Sequence, residues 1–320
     1  MNILYVGPYR QDNYYGLYSQ AIIQSLGSKH NLTVRPIFYS SSEVQKNLPS
    51  ILYELEQKHY DHYDCLIQHV EISDILYTTS FDKNIVIPIT DHKHDPYLLD
   101  NRCVNEFFID SATHKEIFPE SKTKLFELDL DFSIDRNKIF DIGPLLPMKK
   151  MYFSGNYADN TDLILSMIRS FVFLQDNIST DLVLVLFLFN ITKDQINQIK
   201  DYIKNIYNIF GLKYTIDKIA IVPVGMSILN ILSCHNSGDI FLNFNTSPCS
   251  TINKIIASKL DRPVIEPVSS NFNNLYTNDS PTSSWSFNYT DRDIVNAITE
   301  FFRDKPAKQP IKHKKINNLL

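Results

Sequence analysis

The chain has 320 residues, 43% of them hydrophobic and 21% charged, a globular balance with room for about two domains. Its formal net charge of −5 argues against a nucleic-acid partner, because a basic excess is needed to neutralise phosphates. The four cysteines are far apart and form no C-x-x-C pair, which disfavours zinc-ribbon and redox sites. The opening strand carries no basic leader, and the most apolar window, Leu182 to Phe189, is too short to span a bilayer. We therefore expect a cytoplasmic protein.

Predicted strands and helices alternate through the first half of the chain. Buried apolar runs predict strands at 2–6, 32–38, 65–70, 84–89, 106–110 and 124–128. Apolar residues at helical spacing predict helices at 17–26 and 48–58. A third, short helix is predicted at 111–118, where Ser111 is a good N-cap. This alternation predicts a parallel, doubly wound sheet.

Two loops of this half are candidate ligand contacts. The polar loop from Tyr9 to Tyr15 leads to Gly16, which would let the backbone approach a ligand closely; the alternative is a simple helix-entry turn. The strand at 84–89 exits into a polar segment that contains His92. Ligands of α/β proteins bind in the crevice at the carboxyl ends of strands, so His92 is the candidate catalytic residue, with a surface histidine as the alternative.

A linker and a second α/β half follow. The segment GPLLPMKK at 143–150 has the composition of a linker and ends in Lys149 and Lys150, which would border the cleft. Beyond it the pattern predicts strands at 150–154, 181–189 and 218–222, and helices at 161–174, 193–210, 227–234 and 291–302. We expect one domain at 1–147, a second at 148–304, and a basic, disordered tail at 305–320 that could touch an anionic membrane surface.

The stretch from 238 to 267 predicts one strand–loop–helix–strand unit. Residues 239–243 form a buried strand with a polar end, Ser250 and Thr251 are good N-caps for an amphipathic helix, and 264–265 opens the next strand. A hydroxyl-rich loop before a helix N-terminus can hold an anion, because free N–H groups and the helix dipole point there. Lys254 adds a positive charge in the first turns. The alternative is that the two hydroxyls only cap the helix.

Two patterns could instead hold a metal ion. His92 and His94 are spaced i, i+2 and flanked by aspartates, which places both imidazoles on one side of an extended segment. Asp129 and Asp131 form a D-x-D pair, a pattern that can bind a divalent cation against a nucleotide diphosphate. Short motifs of this kind recur by chance, so no metal and no resident cofactor is expected.

Nearly the whole chain resembles family 4 glycosyltransferases. The resemblance is carried by MNILYVGPY with its following helix, NIVIPITDHKHDP, FFIDSATHKEIF, MYFSGNYADNTDLILSMIRSF and GDIFLNFNTSPCSTINKIIASKLDRPVIEP. It implies the GT-B type of fold, in which two Rossmann-like doubly wound parallel-sheet domains face a central cleft. Two family features differ: Pro248 and Ile256 stand where paired glutamates are usual, and Asn156 with Asp159 stands where Arg and Lys grip the donor diphosphate.

The resemblance implies a glycosyltransferase that moves a sugar from a nucleotide-sugar donor to a hydroxyl acceptor such as a glycan, lipid or protein, with retention and without a metal. His92 would contact the sugar or the acceptor. The expected donor-binding residues are Gly16, Asn156, Val224, Ser250, Thr251, Lys254 and Glu266. The alternatives are a catalytically degenerate GT-B module that binds a glycan or partner protein, and a sugar-nucleotide epimerase of related fold.

Overall fold

A computed structural model describes residues 1–39, 44–45, 48–89, 102–109, 121–125, 136–144, 148–175, 182–212, 218–244, 249–266 and 290–303. These residues form two parallel sheets of six and five strands with helices between the strands. The prediction of two doubly wound α/β domains is confirmed. The boundary at residue 147 stays a prediction.

The first sheet is built around the opening strand. Its strands are β1 (Asn2–Gly7), β2 (Asn31–Pro36), β3 (Cys65–Val70), β4 (Lys83–Pro88), β5 (Glu106–Ile109) and β6 (Thr123–Leu125), in the order β2-β1-β3-β4-β5-β6. Its helices are α1 (Tyr14–Gly27) and α2 (Ser50–Gln57). The chain continues from β1 to β2 on one side of β1 and then crosses to β3 on the other side. The topological switch point therefore lies between β1 and β3.

The second sheet repeats this plan. Its strands are β7 (Lys149–Asn156), β8 (Leu182–Phe189), β9 (Ile219–Val224), β10 (Ile240–Leu242) and β11 (Val264–Ile265), in the order β11-β10-β7-β8-β9. Its helices are α3 (Thr161–Leu174), α4 (Lys193–Ile209), α5 (Ile228–Ser237), α6 (Cys249–Lys259) and α7 (Asp291–Arg303). Here the order reverses between β7 and β10, which makes their carboxyl ends the second switch point.

Sequence accounts for the central elements of this sheet. Every side chain of β8 (LVLVLFLF) is buried, as expected for a strand covered on both faces. Helix α4 begins with a capping box, in which the Thr192 side chain accepts from the Gln195 N–H and the Gln195 side chain accepts from the Thr192 N–H. Its buried side chains, Ile199, Ile203, Ile206 and Tyr207, recur at helical spacing. The closing helix α7 packs on α3, where Arg169 Nε donates to Asp291 Oδ2 at 2.6 Å.

Two helices begin earlier than predicted. Helix α1 starts at Tyr14 because the side chain of Asn13 caps it, accepting from the Gly16 N–H at 3.1 Å. Helix α6 starts at Cys249, so the prediction that Ser250 and Thr251 are N-caps is wrong. Both lie inside the first turn, where backbone N–H groups have no intrahelical acceptor. The side chains of Ser250 and Thr251, the predicted helix at 111–118 and the tail at 305–320 lie outside the described part of the chain.

One apolar cluster runs through both domains and includes much of α1. Ten of the fourteen residues of α1 are buried. The same cluster contains Ile3 of β1, Phe187 of β8 and Ile256 of α6. Residues 136–144 also pack against the second domain, where the Ile142 N–H donates to Ser237 Oγ at 2.7 Å. Helix α1 therefore belongs to the cores of both domains.

Candidate functional site

The β1–α1 loop of the first domain reaches the carboxyl edge of the second sheet. Asp12 Oδ1 accepts the N–H of Ile228, the first residue of α5, at 2.8 Å. Tyr14 Oη lies 3.1 Å from Ser154 Oγ of β7, and its ring meets Phe189 at the end of β8 edge to face, with centroids 5.8 Å apart. The two switch points are thus joined by the loop that leaves the first one.

Partly buried polar contacts fix this loop within its own domain. Arg10 Nε donates to Glu56 Oε1 at 2.6 Å, and Tyr9 Oη donates to the same oxygen at 2.7 Å. The hydrogen bond from Arg10 is the main reason why the pKa of Glu56 lies below its usual value. A Cβ on Gly16 would lie 1.9 Å from the backbone oxygen of Gln11, so the turn itself requires a glycine here. A donor-binding role for Gly16 stays a prediction.

Asn156 and Asn243 lie at the second switch point. Asn156 is the last residue of β7, and its Nδ2 donates to Asp159 Oδ2 at 2.7 Å. Asn243 directly follows β10, and its N–H donates to the Ile265 carbonyl at 2.8 Å, which continues the sheet by one residue. The Oδ1 atoms of both asparagines are buried and have no hydrogen-bond partner among the described residues. Sequence reasoning selected Asn156 and missed Asn243, whose signal was a polar residue closing an apolar strand.

Lys254 and Glu266, both predicted donor-binding residues, bind each other. Lys254 Nζ of α6 lies 2.6 Å from Glu266 Oε1, just beyond β11, and the two side chains are 40% and 44% exposed. Half-exposed ion pairs of this kind contribute about 0–1 kcal/mol to stability, so the pair is easily exchanged for a ligand contact. Val224, the last residue of β9, is half-buried and pairs with Phe189 of β8.

Two groups of predicted residues do not join this site, one because it lies elsewhere and one because the structure does not describe it. Lys149 and Lys150 begin β7, so they lie at the amino end of the strand, about 20–23 Å along it from Asn156 at about 3.3 Å per residue. The prediction that they border the site is wrong for this sheet, because the linker enters at the opposite edge. His92, His94, Asp129 and Asp131 lie outside the described residues.

Each domain also contains a buried histidine that sequence reasoning did not select. His69 of β3 has Nδ1 at 2.7 Å from Ser19 Oγ and 3.0 Å from Tyr5 Oη, and burial lowers its pKa to about 3. Ser19 and His69 are residue types of a nucleophile–base pair, but their exposures are 0% and 1%. Both side chains lie between α1 and β3, so their contact holds α1 on the sheet.

The second buried histidine, His235, links three elements of its domain. Tyr152 Oη of β7 lies 2.9 Å from His235 Nδ1, and His235 Nε2 lies 2.9 Å from Asn253 Oδ1 of α6. Burial lowers the pKa of His235 to about 4, so the ring is neutral at physiological pH. An amide oxygen only accepts, which places the ring proton on Nε2 and makes Tyr152 the donor to Nδ1.

One group of residues could face a cation elsewhere. His62, Asp64 and Asp82 bring ligand-type atoms within 4.8 Å of one another near the amino ends of β3 and β4. The group is mostly exposed and lies at the sheet edge opposite to the switch point. Within the described ranges, no helix combines the length and apolar character needed to cross a lipid bilayer.

The fold is that of an α/β protein with two doubly wound parallel sheets. No protein-family model and no curated protein sequence matches the chain. It is similar in structure to UDP-GlcNAc 2-epimerase from Neisseria meningitidis bound to UDP-GlcNAc, with 10% identity, a TM-score of 0.48, and coverage of 95% of this chain and 92% of that one.

Two further solved structures are similar to this chain over most of their length. The trehalose-6-phosphate synthase OtsA gives 8% identity and a TM-score of 0.46, over 94% of this chain and 96% of that one. S. aureus MnaA with UDP gives 10% identity and a TM-score of 0.41, over 95% and 88%. With TM-scores below 0.5, these likenesses leave the function to be argued from the residues themselves.

Proposed function

We propose that the chain is a glycosyltransferase of the GT-B type that moves a sugar from a nucleotide-sugar donor to a hydroxyl acceptor. The observation that supports this most directly is the meeting of two switch points, joined by Tyr14 and Ser154 at 3.1 Å. Ligands of doubly wound sheets bind at such points. A crevice shared by two of them suits a reaction that brings two substrates together.

The diphosphate of the donor is proposed to bind at the first turn of α6, around residues 249–251. Free N–H groups and the helix dipole favour an anion there, and Lys254 follows within the next turn. Stabilising the leaving diphosphate is the main electrostatic task of the reaction. His92, which the resemblance to family 4 glycosyltransferases assigns to the sugar or acceptor, is the proposed contact from the first domain. Retention and independence of metal are carried by that resemblance.

A thermal-shift screen tests this function. The purified full chain is heated with UDP-glucose, GDP-mannose, ADP-glucose, TDP-glucose and the matching nucleoside diphosphates, each with and without EDTA. A ligand at a hundred times its dissociation constant adds about 2.7 kcal/mol to stability, an easily measured shift. We expect one nucleotide sugar and its matching nucleoside diphosphate to bind with or without EDTA. We expect that nucleotide sugar to be consumed when glycan acceptors are added. If no nucleotide binds, the proposal is wrong.

A binding module without catalysis is the second candidate, and the charges at the site favour it. Lys254 is held by Glu266, and the carboxylate of Asp12 occupies the N-terminal end of α5. These contacts neutralise groups that would otherwise attract a diphosphate. Binding of a glycan with no nucleotide-dependent shift and no turnover would favour this module over the transferase.

A further inference from the structure

The amide of Asn156 is oriented to accept a hydrogen bond at the second switch point. Its Nδ2 donates to Asp159 Oδ2 at 2.7 Å. Because a carboxylate only accepts, this contact fixes the amide and leaves Oδ1 as the free acceptor. That oxygen is buried without a hydrogen-bond partner among the residues described.

Asn243 presents a second unpaired oxygen on the neighbouring strand. The side chain is 8% exposed, and its Oδ1 has no hydrogen-bond partner in the described part of the chain. Phe241 pairs with Tyr152, so continuing this register places Asn243 level with Ser154. Side chains alternate along strands, which puts Asn243, Ser154 and Asn156 on one face of the sheet. This is the face on which Tyr14 meets Ser154.

Two unpaired acceptors on one face of the sheet indicate an absent donor. A buried carbonyl oxygen without a partner costs about 1–3 kcal/mol, and native proteins keep few of them. The local charge decides what kind of donor fits. The carboxylate of Asp159 is next to Asn156, so a phosphate would meet a negative charge and an acceptor oxygen together. A neutral hydroxyl group instead supplies the missing proton.

We propose that the switch point between β7 and β10 binds hydroxyl groups of a sugar ring through Asn156 and Asn243, and that the diphosphate lies elsewhere. This inference rests on the proposed function, since it assigns the two parts of a nucleotide sugar to different places. It makes Asn156 and Asn243 specificity-determining residues. They would select among sugars by the position and orientation of their hydroxyl groups, because a site built to pair a hydroxyl rejects analogues that lack it.

Calorimetric titration of variants tests the assignment. The ligands are UDP-glucose and UDP. If another nucleotide sugar of the thermal-shift panel binds more tightly than UDP-glucose, it is used with its own nucleoside diphosphate instead. We expect Asn243→Ala and Asn156→Ala each to weaken nucleotide-sugar binding about tenfold and to leave nucleoside-diphosphate binding unchanged. Asn205→Ala, at an exposed position of α4, is the matched control and should change neither affinity. Circular dichroism of each variant checks that it folds, and deoxy-sugar analogues titrated into the unaltered chain give the same information without mutation.

The other outcomes can be told apart. Equal weakening of both ligands would place the asparagines at the diphosphate. Unchanged affinities with a lower free energy of unfolding would mean that the oxygens bind only internal water. If the unaltered chain binds no nucleotide, the proposed function fails, and titration with glucose and N-acetylglucosamine then tests the inference alone. A monosaccharide that binds the unaltered chain but not Asn243→Ala would sustain it, and the binding of neither sugar would reject it.

Discussion

Tyr14 Oη and Ser154 Oγ, which are 140 positions apart in the sequence, form a buried hydrogen bond of 3.1 Å between the two domains. The Tyr14 side chain is 5% exposed and Ser154 is fully buried. The same tyrosine packs edge to face on Phe189. A single side chain at the start of α1 therefore contacts the ends of two central strands of the second sheet. Relative domain motion is the default for two-domain proteins, but a buried apolar interface of this kind restricts it.

Substitutions of Tyr14 should lower the free energy of unfolding, because this side chain contacts the second domain. Tyr14→Phe keeps the aromatic contact and should cost about 1 kcal/mol for the lost hydrogen bond. Tyr14→Ala also removes the ring and should cost about 3–5 kcal/mol, as aromatic truncations in cores do. Urea unfolding measures both values. In Tyr14→Ala we further expect a less cooperative transition, because the domains lose one of the contacts that they share.

Tyr53→Phe is the control for this series, since Tyr53 is 39% exposed and its hydroxyl should contribute less than about 0.5 kcal/mol. Equal stability of Tyr14→Ala and the unaltered chain would show that α1 is held to the second domain by other contacts.

The alternation of strands and helices was sufficient to predict both sheets, because most central strands contain an apolar run, the longest being LVLVLFLF of β8. The segment at 181–189 was predicted as a strand and is β8, the neighbour of β7. The contact between Asp12 and Ile228 was not predictable, since it depends on how two domains dock across more than 200 positions. The same holds for Asn243, where the sequence shows a polar residue after a strand but not the absence of its partner. Local patterns specify elements, whereas docking and orphaned atoms appear only in three dimensions.

The ion pair between Arg10 and Glu56 holds the β1–α1 loop, and its contribution to stability should be measurable by itself. Glu56→Gln removes the charge that accepts from Arg10 and Tyr9, at side-chain exposures of 24% for Arg10 and 17% for Glu56. We expect a loss of about 1.5–3 kcal/mol at pH 7, as for hydrogen bonds to charged groups. The folded-state pKa of Glu56 is lowered, so this stability is present above about pH 4.5 and is lost as the pH falls below it.

Chemical denaturation at pH 7 and pH 4 measures this difference. Glu54→Gln, an exposed residue of the same helix, serves as the control and should unfold like the unaltered chain. If both glutamine variants lose the same stability, the Arg10 contact is not the cause.

The two buried histidines should make the protein acid-labile well above the titration range of carboxylates. Burial lowers the pKa of His69 to about 3 and of His235 to about 4, against 6.5 for an unburied ring. The unfolded chain thus binds more protons between these values, and stability falls as the pH drops below 6.5. Each histidine should remove about 1.4 kcal/mol per pH unit. Urea unfolding should give about 3 kcal/mol less stability at pH 5.5 than at pH 7.5.

His235→Gln should halve this dependence on pH while lowering stability at pH 7.5, because the contacts with Tyr152 and Asn253 are disturbed. His62→Gln is the matched control at an exposed histidine, whose side chain is 64% exposed. A slope that His235→Gln leaves unchanged would assign the acid sensitivity to other groups.

The ion pair between Lys254 and Glu266 should regulate the affinity for anions at the first turn of α6. Glu266→Gln releases Lys254 Nζ, now 2.6 Å from the carboxylate, and should strengthen nucleoside-diphosphate binding about fivefold, the equivalent of 1 kcal/mol for a charge near the surface. Lys254→Met should weaken the same binding by a similar factor. Neither change should alter the free energy of unfolding by more than about 1 kcal/mol, since both side chains are half-exposed.

Calorimetric titrations at 50 and 200 mM salt measure this effect, and added salt should reduce the difference between the variants because it screens exposed charges. Lys200→Met, at an exposed position of α4, changes the net charge of the chain equally and controls for long-range attraction. If Lys200→Met weakens binding as much as Lys254→Met, the effect is one of overall charge and the diphosphate does not lie at α6. If only the Lys254 and Glu266 variants respond, and in opposite directions, the anion contacts Lys254 directly and Glu266 competes with it.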